Sequence, residues 1–401
     1  MVEHLINIRR EDVKYNFDEI IDRKKTNSLK WEFMNILTDK ANEDTLPMWV
    51  ADMDFACPPE IVEAIKTRAD RRIFGYSSHM TPEYFDAVCG WLKRRFGWKV
   101  DDKDIFASSG VVHALDTLVR AMTNAGDGVI IQRPVYYPFT SVIEGNGRAV
   151  VNNRLINNDG YYTIDFEDLE EKARDSNNKM MIFCSPHNPV GRVWTKEELK
   201  RLGEICLRND VLLVSDEIHF DLLRKGKKHT VISTLFEETD RIIVCTATSK
   251  TFNTAGLNSS NIVIRNKEQQ KRWKKTAGMV LLNPFAIAAT EAAYTKCDEW
   301  VSEVNDYIDE NMLYIDSFLK GKMKKAKSVM SEGTYLTWID LSGYGFSAEE
   351  LKRKMIEEAN VLFDMGDMFG KEGEGFIRIN VACPRSIVVE CMDRLYNTLE
   401  V

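Results

Sequence analysis

Thr246–Ser260 reads TATSKTFNTAGLNSS and follows Ile242-Ile243-Val244-Cys245, an apolar run of the kind that forms a buried strand. The strand is predicted to end in small hydroxyl residues with one lysine, Lys250, among them. An amine there is either a surface charge leaving the core or a group kept for chemistry. If its small neighbours desolvate it, its pKa falls and it becomes a nucleophile toward an aldehyde. The alternative is a lysine that snorkels to solvent.

The same texture extends outward. From about residue 104, short apolar runs alternate with helical patterns: DIFAS then GVVHALDTLVRAMT, GVIIQ then a loop, MMIFC then TKEELKRLGEICLRN, VLLVSD then a break, IIVCTA then more helix. Continuous apolar strands between helices predict an α/β fold with a parallel sheet covered on both faces. Residues 1–60 read as irregular. Pro58-Pro59 introduce a helix over EIVEAIKTRADRRI, and residues 83–97 suggest another. After about residue 295, long charged helices and two strand-like pieces, TYLTWIDL and GFIRINVA, predict a smaller α+β unit. The expected division is a large domain over 60–295 and a small domain built from 1–59 and 296–401.

Composition excludes several classes. The 401 residues carry 44% hydrophobic and 29% charged side chains, enough for a large core, and a net charge of −8. An acidic chain is a poor general binder of nucleic acid, whose phosphates need clustered Lys and Arg. The basic stretch KGKMKKAK, residues 320–327, is expected to be a solvated helix face or loop. The eight cysteines form no C-x-x-C pair, so no zinc motif is present, and several sit in apolar runs, as suits a reducing compartment. The N-terminal MVEHLINIRRED lacks the apolar stretch of a signal peptide, and no apolar run is long enough to span a bilayer. The expectation is a soluble cytoplasmic protein.

Ligands of a parallel sheet collect at the carboxyl ends of its strands. Those ends offer Ser108-Ser109-Gly110-Val111-Val112, then RPVYYPF with Tyr136 and Tyr137, then SPHNPVGR with Asn188, then Asp216-Glu217-Ile218-His219, and last Lys250. SSGVVHAL is a glycine turn opening a helix, which suits an anion such as phosphate, although a helix capped by Ser108 or Ser109 reads the same way. Neither a dinucleotide-binding nor a P-loop motif occurs. Asp216 emerges from a buried strand and needs a partner: a cationic ring nitrogen or a structural arginine. Asn188 precedes a proline in a turn, and the two tyrosines are either packing or a stacking platform. Taken together these residues match one inventory. An aldehyde cofactor with a phosphate, a phenolic oxygen and a basic ring nitrogen needs an amine, an anion cradle, a donor, a carboxylate and a ring, and pyridoxal 5′-phosphate (PLP) fits.

Asn188 in SPHNPVG, Asp216 in VSDEIH and Lys250 in SKTFNTAGLN resemble the signature of fold-type I PLP enzymes of aminotransferase class I/II. FDEIIDRKKTNSLKW, LPMWVADMDFACPP, GYSS, SSGVVHAL, RPVYYPF and DEIHFD resemble more narrowly its cystathionine β-lyase or C–S lyase branch, the MalY/PatB family. The resemblance spans almost the whole chain. It implies a mostly parallel seven-stranded sheet between helices, plus a smaller α+β domain. It implies that Lys250 holds PLP as a Schiff base and later acts as the base at Cα, that Asp216 pairs with the ring nitrogen, that Asn188 bonds the phenolic oxygen and that Tyr136 stacks on the ring. Gly110, Val111, Val112 and Ser249 would bind the phosphate, with Tyr76 reaching it from the partner of a homodimer. Arg378, in RINVACP, would clamp the substrate α-carboxylate. Two positions depart from the commoner aminotransferase pattern: Asn258 replaces an arginine eight residues after the lysine, and His219 replaces a tyrosine three residues after the aspartate. Both are usual in the lyase branch.

The implied reaction is β-elimination from cystathionine or a cysteine S-conjugate, giving a thiol, pyruvate and ammonia. Tyr137 is a donor to the leaving sulfur, a support for the Schiff base, or structural. The alternatives are an aminotransferase of a small amino acid, which shares every cofactor residue, and a PLP-binding regulator acting through protein contact. No metal is expected.

Overall fold

The computed structural model describes residues 14–401. The start of the small-domain assignment and the reading of MVEHLINIRRED fall largely on residues 1–13, outside the described residues. The central sheet has seven strands: β1 (Ile105–Ser108), β2 (Gly128–Ile131), β3 (Ala149–Asn152), β4 (Asn178–Cys184), β5 (Leu212–Asp216), β6 (Ile242–Thr246) and β7 (Ser260–Val263). Their order is β1-β7-β6-β5-β4-β2-β3. All pairs are parallel except those of β7, which runs antiparallel between β1 and β6. The fold is therefore α/β with a mostly parallel seven-stranded sheet.

Both faces of this sheet are buried, and the side-chain alternation of β4 shows how. Met180, Ile182 and Cys184 join a cluster with helix α1 (Val111–Met122), while Met181 and Phe183 join another with helix α2 (Lys196–Arg208). With both faces apolar, a strand reads as an uninterrupted hydrophobic run. The α2 helix starts at a capping box, with the Thr195 hydroxyl accepting from the Glu198 N–H and the Glu198 carboxylate accepting from the Thr195 N–H.

Beyond residue 295 lie the 25-residue helix α3 (Asp298–Lys322) and helix α4 (Arg385–Leu399). An antiparallel three-stranded sheet accompanies them: β8 (Leu336–Asp340), β9 (Asp364–Met365) and β10 (Phe376–Asn380), with β10 central. The N-terminal segment joins this part, since Leu46–Pro47 pairs in parallel with Val361–Leu362. The lysines of KGKMKKAK are exposed at and beyond the end of α3. Among the described residues, all eight cysteines are free thiols, no cluster of His, Cys, Asp or Glu could hold a metal, and no helix is long and apolar enough to cross a membrane.

Candidate active site

Strand register brings the chemistry together. Cys184, the last residue of β4, lies opposite Asp216, the last of β5, and Asp216 lies opposite Cys245 on β6. The carboxyl ends are therefore level, and the residues that follow them meet in one cavity of about 230 Å³. Gly110, Val111, Val112, Tyr136, Asn188, Asp216, His219, Ser249 and Lys250 line it. Tyr137, Arg378 and Tyr76 do not. A groove of about 620 Å³ elsewhere is larger, but both of its arginines are already paired, Arg192 with Glu332 at 2.9 Å and Arg224 with Asp309 at 2.8 Å.

Lys250 sits on a single helical turn, Thr248–Thr251, directly after β6. Its Nζ donates to the Ala51 carbonyl at 2.6 Å, and the same oxygen accepts from the Tyr335 hydroxyl at 2.7 Å. Burial lowers its ammonium pKa to about 8, against the opposing pull of the Asp52 charge. Asp216 moves the other way. Burial raises its carboxyl to about 7, with the Ile218 N–H, 3.2 Å from Oδ1, a partial offset. The His219 imidazole is held neutral by burial and by the charges of Lys250 and Arg378, packs edge-on against Tyr335, and keeps a buried Nδ1 without a partner.

The α1 helix starts without a side-chain cap. Its N-cap is Gly110, not Ser108 or Ser109 as the local pattern suggested, and Ser108 Oγ instead bonds His113 Nδ1 at 2.8 Å. Gly110 has φ 153° and ψ 162°, a conformation essentially reserved for glycine. A Cβ there would meet nothing within 4 Å, so the backbone and not the available room demands glycine. The first N–H groups of the 12-residue helix have no intrahelical partner, and Val111 and Val112 border the cavity. That edge, with Ser109, Ser249 and Ser259 nearby, is suited to a phosphate.

Asn188 is oriented by Arg378, whose Nη1 donates to its Oδ1 at 2.9 Å; the Asn188 N–H points to Cys184 Sγ. Arg378 lies behind Asn188 and is already engaged by Asp364. Tyr137 stands beside Tyr136 and Phe369, with ring centroids 5.5 and 5.7 Å away, and its phenol is raised by burial and by the Asp364 charge. Tyr76 is 99% exposed.

Sequence reasoning missed Ala51, Tyr335, Asp364, Cys184 and His113. Ala51 acts through its carbonyl, which carries no side-chain signal, and Asp364 is visible only through the register of β9 with β10. The donor set fits PLP. One enclosed amine, one desolvated carboxylate without a cation on it, one uncapped helix start and one aromatic ring border the same space.

The aminotransferase class I and II family pattern matches residues 43–395. The chain is 44% identical over 391 residues to cystathionine beta-lyase PatB of Bacillus subtilis (strain 168), covering 95% of this chain and 98% of PatB. The structure of cystalysin from Treponema denticola, which contains a pyridoxal 5′-phosphate cofactor, is similar with a TM-score of 0.94 and 40% identity, over 97% of this chain and 99% of that one. A PLP-bound C–S lyase from Staphylococcus hominis is similar with a TM-score of 0.93 and 38% identity, over 97% and 99%. The chain belongs to the aminotransferase class I and II family.

Proposed function

We propose that the protein is a PLP-dependent carbon–sulfur lyase that eliminates a thiol from cystathionine or a cysteine S-conjugate. With water completing the balance, the products are the thiol, pyruvate and ammonia. The observation that carries this reading is the pairing of an enclosed Lys250 amine with a desolvated Asp216 carboxylate in one cavity, in a chain 44% identical to a cystathionine beta-lyase. His219 and Asn258, where commoner transaminases carry tyrosine and arginine, support the lyase reading.

Bound PLP supplies an electron sink that lets the Cα–H bond ionise and the Cβ–S bond break. Lys250 Nζ, whose free amine has its pKa lowered to about 8 by burial, would take the proton from Cα. The Ala51 carbonyl gives that freed amine a resting place inside the cavity. Asp216 would pair with the ring nitrogen and keep it protonated. Asn188, its Oδ1 taken by Arg378, keeps Nδ2 as the donor that would bond the phenolic oxygen. Tyr136 would stack on the ring, and Gly110, Val111, Val112 and Ser249 would hold the phosphate. Arg378, held by Asn188 and Asp364, would orient the α-carboxylate with its remaining N–H groups. Tyr137, packed behind Tyr136 with a phenol that burial keeps protonated, would give a proton to the departing sulfur.

The division into a cofactor domain over 60–295 and a small domain from the two chain ends belongs to the same reading. So does a cytoplasmic homodimer in which exposed Tyr76 completes the partner's phosphate site. The test is pyruvate release from cystathionine with no keto acid added. Sustained turnover is expected, with Lys250→Ala lower by at least ~10²-fold. No pyruvate, with cystathionine consumed only when a keto acid is added, means transamination and overturns the proposal.

A further inference from the structure

The cross-strand neighbour of Arg378 is a carboxylate. Asp364 on β9 stands opposite Arg378 on β10 in antiparallel register, so both side chains leave the sheet on one face. Arg378 Nη2 donates to Asp364 Oδ2, and only 2% and 1% of the two side chains remain exposed. Asn188 Oδ1 takes Nη1, the Phe369 ring lies 4.9 Å from Cζ, and Nε is buried without a partner. The guanidinium thus already holds one carboxylate while keeping a donor free.

We propose that Asp364 is the resident counter-ion of the substrate-carboxylate site: it positions Arg378 and sets how tightly the α-carboxylate of the amino-acid substrate is held. This rests on the lyase reading above. A buried arginine without a partner is an uncompensated charge, and Asp364 removes that cost between turnovers. A second carboxylate arriving at the same guanidinium meets a like charge at short range in a low-dielectric site. The α-carboxylate is therefore oriented but bound more weakly than by a lone arginine. More of the binding must come from the sulfur-bearing side chain, and the elimination product, which keeps the carboxylate, is released more readily.

The test compares L-alanine and L-alaninamide as probes of the holoenzyme, followed through the visible absorption of the cofactor. The two share an ammonium group and a methyl and differ in the charge of the carboxyl end; neither has a leaving group. In D364N the amide still accepts from Arg378 but carries no charge. L-Alanine should bind roughly tenfold tighter than to the wild type, while L-alaninamide should be unchanged. An unchanged L-alanine affinity, or equal changes for both probes, overturns the role of Asp364. A D364N chain that does not fold assigns the pair to stability and also overturns it. A wild-type protein that takes up no cofactor, or does not respond to L-alanine, overturns the lyase reading itself.

Discussion

Asp216 and Lys250 are pushed in opposite directions by burial in one cavity, and each gives stability a pH dependence of known sign. An ordinary aspartate titrates near 3.8, whereas Asp216 is raised to about 7. Between those values the folded chain binds a proton that the unfolded chain has released, so the stability of the cofactor-free protein falls as pH rises, and the full cost is present above about 7. The cofactor-free D216N variant should therefore melt above the wild type at mildly alkaline pH, with the gap closing as pH falls toward 3.8. A gap that does not change with pH, measured by calorimetry, would count against a desolvated carboxylate. Lys250 has the mirror dependence: its cost is full below about 8 and fades as pH rises toward 10.5. At this scale the sequence was most readable where a functional side chain ends a buried strand, as Asn188, Asp216 and Lys250 do. Asp364 and Tyr335 were not readable, because their partners are fixed by sheet register and by a carbonyl 284 residues away.

Outside regular structure, the strap Met48–Phe55 borders the cavity through Ala51, whose carbonyl meets Lys250. Asn253, three residues after that lysine, pins the strap. Its Oδ1 accepts from the Met53 N–H at 3.0 Å, and its Nδ2 donates to the Met53 and Phe55 carbonyls at 3.0 and 2.9 Å. From the other side, Asn380 Nδ2 donates to the Val50 carbonyl at 2.8 Å. N253A should lose ~2–3 kcal/mol of stability and weaken PLP binding in equilibrium dialysis, with the far-ultraviolet circular dichroism unchanged. Asn253 has φ 56°, so N253G, which tolerates that backbone, separates the lost bonds from strain. Wild-type melting and PLP affinity in both variants would mean the strap needs no such anchor. The sequence showed none of this, because the strap has no periodicity. It also passed over two of the seven strands. β3 is a partly exposed edge with little apolar contrast, and β7 opens with Ser260 and Asn261, which read as a continuation of the preceding loop.

At the scale of the whole molecule, the alternation of strand and helix was enough to give the α/β class, since both faces of the sheet are buried. The antiparallel insertion of β7 was not readable from local pattern, because strand direction depends on how the chain returns. The exposed cluster Ile73, Phe74, Tyr76 and Met80, between 61% and 99% accessible, is what the proposed homodimer would cover. If Tyr76 completes the partner's site, Y76A and K250A are each defective, yet mixed, unfolded and refolded together they should regain lyase activity, because the hybrid dimer keeps one intact site. No recovery in the mixture, with hybrids present by native mass spectrometry, would place Tyr76 in its own subunit's chemistry or in none. Every assignment above depends on the cofactor being joined to one amine. Borohydride reduction of the purified holoenzyme followed by peptide mapping tests this most directly: the reduced cofactor is expected on the peptide containing Lys250, and a label on another lysine, or no label, would contradict it.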